Sequence, residues 1–246
     1  MVSNRMRNVA FLSTYPPREC GLATFTQDLA RELDKIGILN KPKVIAVSND
    51  DYSYSDRVFV ELWQHDRESY AKAADTVNNS NIELLAIEHE YGIFGGEAGE
   101  YILNLVDNLQ IPFVTTLHTV LSKPTEKQRE ILRVLGKKSA KIITMAKNTK
   151  PILESVYGID PSKIEIIHHG VPYRILELRE KLKEKHGLSG RTVISTFRLL
   201  SPGKGLEYGI EAIAKVVKEH DDIVYLILGQ THPCVKRESG EHTGKL

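Results

Sequence analysis

The sequence predicts an α/β protein: a doubly wound domain over residues 1–172, a linker or crossing helix over 173–190, and an incomplete second α/β domain over 191–246. Three observations carry this. Short apolar runs alternate with amphipathic segments along the chain. The runs are continuously apolar more often than alternating, as expected for parallel strands covered on both faces. After residue 191 the pattern supplies only two more strands.

The first strand is Asn8 to Ser13, ended by Pro16 and Pro17, which fix φ and remove ladder donors. From Thr24, the candidate N-cap, Phe25, Leu29 and Leu33 recur every fourth residue. Ile36 completes this stripe before Gly37 stops the helix. Strands follow at 43–47, 57–62 and 82–87, with a helix at 66–78. Next come a helix near 97–109, a strand at 112–117, a helix at 125–137 and a strand at 141–145. A helix at 147–156 and a strand at 164–168 complete the domain. Residues 173–190 are charged and read as helical, ending in two glycines. Beyond them lie a strand at 192–197, a helix at 205–219 and a strand at 223–228, too few residues for an ordinary independent core.

Composition narrows the function. The 246 residues hold 33 Lys and Arg against 32 Asp and Glu, a balance that gives no support for nucleic-acid binding. Cys20 and Cys234 form neither a disulfide framework nor a metal-ligand spacing, which suits a reducing cytoplasm. No apolar run reaches the roughly 20 residues of a membrane span, and no export signal is read at the N-terminus. Peripheral membrane contact stays open.

Open α/β sheets bind ligands beyond the C-terminal ends of their strands, and the candidate residues fall there. Gly21 lies beside a helix start, where free N–H groups receive an anion or a sugar hydroxyl. The competing account is a tight turn. After the strand at 82–87 come Glu88, His89, Glu90 and Gly92, followed by Gly95 and Gly96. Two carboxylates and a histidine are costly to bury, so a ligand-facing cleft is expected, with Glu88 and Glu90 on one side and His89 opposite. The spacing is not that of a zinc peptidase. His118 ends the strand at 112–117 and is placed to bond a substrate hydroxyl or help position a leaving group. A structural histidine is the alternative. His168, His169, Gly170 and Pro172 read as an interdomain turn or as a loop reaching the ligand. Lys204, in a glycine-rich loop before a helix, would meet a phosphate together with the helix's positive end.

The segments STYPPRECGLATFTQDLA, HEYGIFGG, TTLHT, KIEIIHHGV and LLSPGKGLEYGIEAIAKV, in this order, resemble a retaining glycosyltransferase of the group 1 family, of GT-B fold and mannosyltransferase-like. The likeness covers the amino-terminal two-thirds of such an enzyme, so a chain cut short in its second domain is expected. It implies transfer of a hexose, mannose among the candidates, from a GDP- or UDP-linked donor to a carbohydrate or lipid-linked acceptor, with retention and without a metal cofactor. His118 would be the active-site histidine, and Glu88, His89, Glu90 and Gly92 acceptor or sugar contacts. Gly21, Lys204 and Arg198 would serve the donor diphosphate, with His169 and Gly170 on the donor-side loop.

Two departures stand out. Arg198 and Leu199 occupy the positions of the family's Gly-Arg pair. The family's E-x7-E pair is missing from its usual place, because Glu211 and Glu219 share the spacing but fall too early. A non-catalytic sugar-binding or scaffold remnant, a nucleotide-sugar epimerase and a phosphorylase relative are the alternatives. A homodimer covering the unfinished second domain is a further expectation.

Overall fold

The computed structural model describes residues 7–171, 173, 175–202, 204–231 and 235. The chain divides into two units, Met1–Pro172 and Tyr173–Leu246.

The first unit is built on seven parallel strands: β1 (Val9–Ser13), β2 (Lys43–Ser48), β3 (Val58–Trp63), β4 (Leu84–His89), β5 (Phe113–Leu117), β6 (Lys141–Thr144) and β7 (Ile164–Ile166). Their order is β3-β2-β1-β4-β5-β6-β7, so the direction of winding reverses between β1 and β4. That reversal opens the crevice in which doubly wound sheets take ligands.

Strand residues alternate between two apolar layers. Ala10, Leu12, Ile45, Val47, Leu85 and Ile87 face α2 (Arg67–Asn78), α3 (Ile102–Asn108), α4 (Glu126–Lys138) and α5 (Lys150–Ser155). Ile131, Leu132 and Leu135 of α4 are fully buried there, each stabilising the unit by about 1.5–3 kcal/mol. The opposite layer holds Phe11, Val44 and Ala46 against α1 (Gly21–Ile36) through Leu29, Ala30 and Leu33.

Both ends of α4 are closed by side chains. Thr125 and Gln128 form a reciprocal capping box at its start. At its end the Lys163 ammonium donates to the carbonyls of Gly136, Lys137 and Ser139 at 3.2, 2.7 and 2.9 Å. Gly136 is required by close approach, since a Cβ there would lie 2.6 Å from Ile159 Cγ1.

Several element boundaries differ from the sequence reading. Helix α1 begins at Gly21, not Thr24. Cys20 is extended and its Sγ accepts from the Ala23 N–H at 3.4 Å, so the thiol is the N-cap. Ile36 is 60% exposed and does not extend the buried stripe. The helix expected at 97–109 is broken: a single turn at Glu97–Gly99 contains Ala98 and Gly99 at φ 53° and 83°, and α3 starts only at Ile102. Strand β7 stops at Ile166, leaving His168 and His169 in a loop.

In the second unit, among the described residues of the expected 173–190, helix occupies only Arg179–Lys185 (α6), and Leu178 before it is still extended. A parallel pair follows, β8 (Thr192–Phe197) with β9 (Ile223–Leu228), crossed over by α7 (Leu206–Val216). Glu211 lies on α7 and Glu219 beyond its end, both exposed. Cys234 lies outside the described residues.

Candidate functional site

The residues singled out at the strand ends of the first unit converge beside the β1–β4 reversal. Register explains how. Strands β4 and β5 pair with Glu88 opposite Thr116, and His118 follows two residues later on the same side. The His118 amide continues the ladder by donating to the His89 carbonyl at 3.0 Å. The two side chains then meet: His118 Nε2 lies 2.8 Å from Glu88 Oε2, with side-chain exposures of 8% and 1%. Thr116 Oγ1 donates to the other carboxylate oxygen at 3.5 Å.

A carboxylate only accepts, so Nε2 carries the hydrogen between the pair, and a ring without a second hydrogen keeps a lone pair on Nδ1. His118 is thereby suited to accept a hydrogen bond from a ligand hydroxyl, with its ring held in orientation by the buried carboxylate. Neither the pairing nor its direction was read from the sequence, where Glu88 stood as a sugar contact. The available signal was a carboxylate ending one apolar strand and a Thr-x-His ending the next.

Helix α1 brings its first turn to the same place. Phe25 meets the His118 ring edge-on, with centroids 4.9 Å apart, and the His169 ring at 5.3 Å. The His118 and His169 centroids are 6.0 Å apart. Gly21, the first residue of α1, is exposed, and a Cβ there would touch nothing within 4 Å. Packing therefore does not demand glycine, while the bare helix start leaves its backbone N–H groups approachable. His169 and Gly170 are exposed, and His168 Nδ1 is 2.8 Å from the Met145 carbonyl oxygen.

The β4 loop separates the remaining candidates. Glu90 accepts from the Tyr91 N–H at 3.0 Å and from the Thr119 hydroxyl at 2.5 Å. Gly92 is exposed, whereas Gly95 is fixed by packing, since its Cβ would fall 1.9 Å from the Gln64 carbonyl oxygen.

His89 corrects the sequence reading. It points away from Glu88, as alternation predicted, but into the core, where it is 0% exposed against Tyr91 and Phe94 instead of facing the cleft. Neither ring nitrogen has a partner. Burial, helped by nearby His118, depresses its pKa to about 3.

A cleft of about 480 Å³ extends from this point along the α1 side of the sheet. Phe11, Ala86, Val114, Ile143 and Met145 line it from the strands, and Leu29 and Leu33 line it from α1. Glu88, Thr116 and His168 to Gly170 also contribute.

In the second unit Lys204 and Arg198 are exposed, and Arg198 Nη1 donates to the Lys204 carbonyl at 2.9 Å. The arginine thus braces the loop that presents the lysine. Gly205, at φ 71°, precedes α7 with no side-chain cap, leaving the first N–H groups of that helix open.

The family model for Glycosyltransferase Family 4 matches residues 20–174. The chain belongs to glycosyltransferase family 4. The matched span contains Glu88, His118 and the start of α1.

No curated protein matches this family-4 chain. Solved structures do. Anabaena HepE, determined with UDP and glucose, is 16% identical, with a TM-score of 0.60 over 94% of this chain and 63% of its own. A glycosyltransferase of Rickettsia africae is 20% identical, with a TM-score of 0.61 over 94% and 62%. A UDP-N-acetylglucosamine 2-epimerase described as putative, from Listeria monocytogenes, is 12% identical, with a TM-score of 0.58 over 97% and 68%. These likenesses show a GT-B-like, two-domain α/β fold. The family-4 chain spans less than two thirds of the length of the first two.

Among the described residues, no cluster of His, Cys, Asp or Glu could hold a metal, and no helix is long and apolar enough to cross a membrane.

Proposed function

We propose that the chain transfers a sugar, a hexose such as mannose, from a nucleotide-sugar donor to an acceptor hydroxyl with retention of configuration. The observation that carries the reading is the buried Glu88–His118 pair beside the strand-order reversal of a family-4 domain. In this reading Nδ1 of His118 accepts a hydrogen bond from a hydroxyl of the bound sugar and fixes its orientation. The bond between the anomeric carbon and the diphosphate breaks, the acceptor oxygen forms the new bond and gives up its proton to the departing phosphate, and negative charge grows on that phosphate as it leaves. Preorganised donors stabilise such charge. Lys204 and the open start of α7 are the donors suited to that role.

Calorimetric titration with GDP-mannose, UDP-glucose and the free nucleotides, without added metal, tests donor recognition. Saturable binding weakened by Lys204→Ala is the expected result. Product analysis by NMR with a panel of sugar and lipid-linked acceptors then reads transfer and anomeric configuration. Binding without transfer would assign the chain a sugar-nucleotide-binding role, and a donor epimer as product would assign it to epimerases. Absence of binding would overturn the reading.

A further inference from the structure

Arg18 lies in the loop between β1 and α1, half-buried, and its guanidinium spans the ends of two other strands. Nη1 donates to the Val47 carbonyl on β2 at 2.9 Å, and Nη2 to Oε1 of Gln64, just past β3, at 3.0 Å. Gln64 is 7% exposed and passes the connection on, its Nε2 donating to the Gly92 carbonyl at 3.2 Å. The Gln64 carbonyl accepts from the Tyr70 hydroxyl at 2.9 Å, and that hydroxyl accepts from the Gly95 N–H at 2.9 Å. The β4 loop is therefore gripped at both Gly92 and Gly95. Glu90, in the same loop, accepts from Thr119, the neighbour of His118.

We propose that Arg18 is a positioning residue for His118, tying together the loops that follow β1, β3, β4 and β5. It acts on that ring from two sides. Through Gln64 it holds the loop whose Glu90 restrains Thr119. Through its own loop it sets the start of α1 and hence Phe25, which packs edge-on against the His118 ring. Both of its bonds go to neutral oxygens, so the planar fork matters more than the charge. A lysine offers no such fork. The functional consequence rests on the reading of His118 as the group that orients the sugar.

The test compares Arg18→Met, Arg18→Lys, Gln64→Leu and the Arg18→Met, Gln64→Leu double variant in the full chain. ¹⁵N NMR of the His118 ring and amide exchange over 15–22 and 90–96 require no turnover. Both Arg18 variants are expected to blur the single Nε2–H tautomer and raise exchange in both loops. Because about 1 Å of misplacement costs on the order of a hundredfold, kcat should fall about ten- to a hundredfold with little change in donor KM. The double variant should be no worse than the poorer single.

An unchanged His118 spectrum with unchanged exchange at 90–96 would overturn the tie. So would full rescue by Arg18→Lys, or a lower melting temperature with unaltered kcat. If the unmodified protein turns over no donor, the transfer reading fails, while the spectroscopic and exchange measurements still decide the tie.

Discussion

Glu88 and His118 lie thirty residues apart in sequence and 2.8 Å apart in space, on neighbouring parallel strands and almost out of reach of solvent. Each makes the other's burial tolerable. Removing one partner of a buried pair leaves the other uncompensated, at a cost of about 3–5 kcal/mol. His118→Ala should therefore lose stability of that order in urea unfolding. Adding Glu88→Gln to it should recover part of the loss, because the stranded carboxylate is then gone.

The same pair predicts a kinetic signature. Glu88→Gln keeps an acceptor oxygen near Nε2 but removes the charge that favours this tautomer. Transfer should slow by about 10²-fold, the order expected when a group that positions the sugar is misplaced by about 1 Å, while the melting temperature moves much less than in His118→Ala. Steady-state rates and calorimetric scans on the same preparations check this.

Gly21 separates a packing role from a ligand role. Nothing lies within 4 Å of a Cβ placed there, so Gly21→Ala should change stability by less than about 1 kcal/mol. If the bare start of α1 meets the donor or acceptor, the same substitution should weaken binding about tenfold, the equivalent of roughly one charge-assisted hydrogen bond. Calorimetry of folding and of binding gives both numbers.

His89 sets an acid limit on stability. Folded, it binds a proton only near pH 3, against an ordinary value of 6.5. Between those values the unfolded chain binds more protons, so stability rises with pH. The penalty is absent above about pH 6.5 and grows by about 1.4 kcal/mol for each unit below it. His89→Phe retains a ring among Tyr91 and Phe94 and should flatten this slope. Urea midpoints from pH 4 to 8 for both proteins provide the measurement.

Lys163 anchors the end of α4 through three carbonyls. Lys163→Met keeps much of the stem but loses those bonds and the favourable interaction with the helix dipole. A loss of about 1–2 kcal/mol is expected. Denaturant unfolding of the variant would show it as a lower midpoint at unchanged slope.

The doubly wound unit was legible in the sequence because parallel strands buried on both faces are runs of apolar residues, as in VAFLS, KVIAVS and FVTTL. Side-chain alternation correctly set His89 against Glu88, but it could not tell which face was solvent and which was core. The Glu88–His118 contact depends on the register between two strands, which neither segment encodes alone. Arg18 and Gln64 escaped notice because their role consists of hydrogen bonds between loops, with no periodicity to mark them. The broken helix at 97–109 turns on a non-glycine residue, Ala98, at positive φ, a tertiary choice that runs against local preference.

The central position of β1 has a consequence for how the protein is made. Val9 pairs with Leu84 on one side, and Ala10 with Lys43 on the other. Strand β1 leaves the ribosome ahead of both its partners and therefore cannot gain its second neighbour until β4 has been synthesised. At roughly 5–20 residues per second this leaves an apolar strand with an open edge for several seconds. For that interval the nascent chain depends on whatever shields such edges in the cell, and slowing translation between residues 48 and 84 should lengthen its exposure to chaperones and proteases.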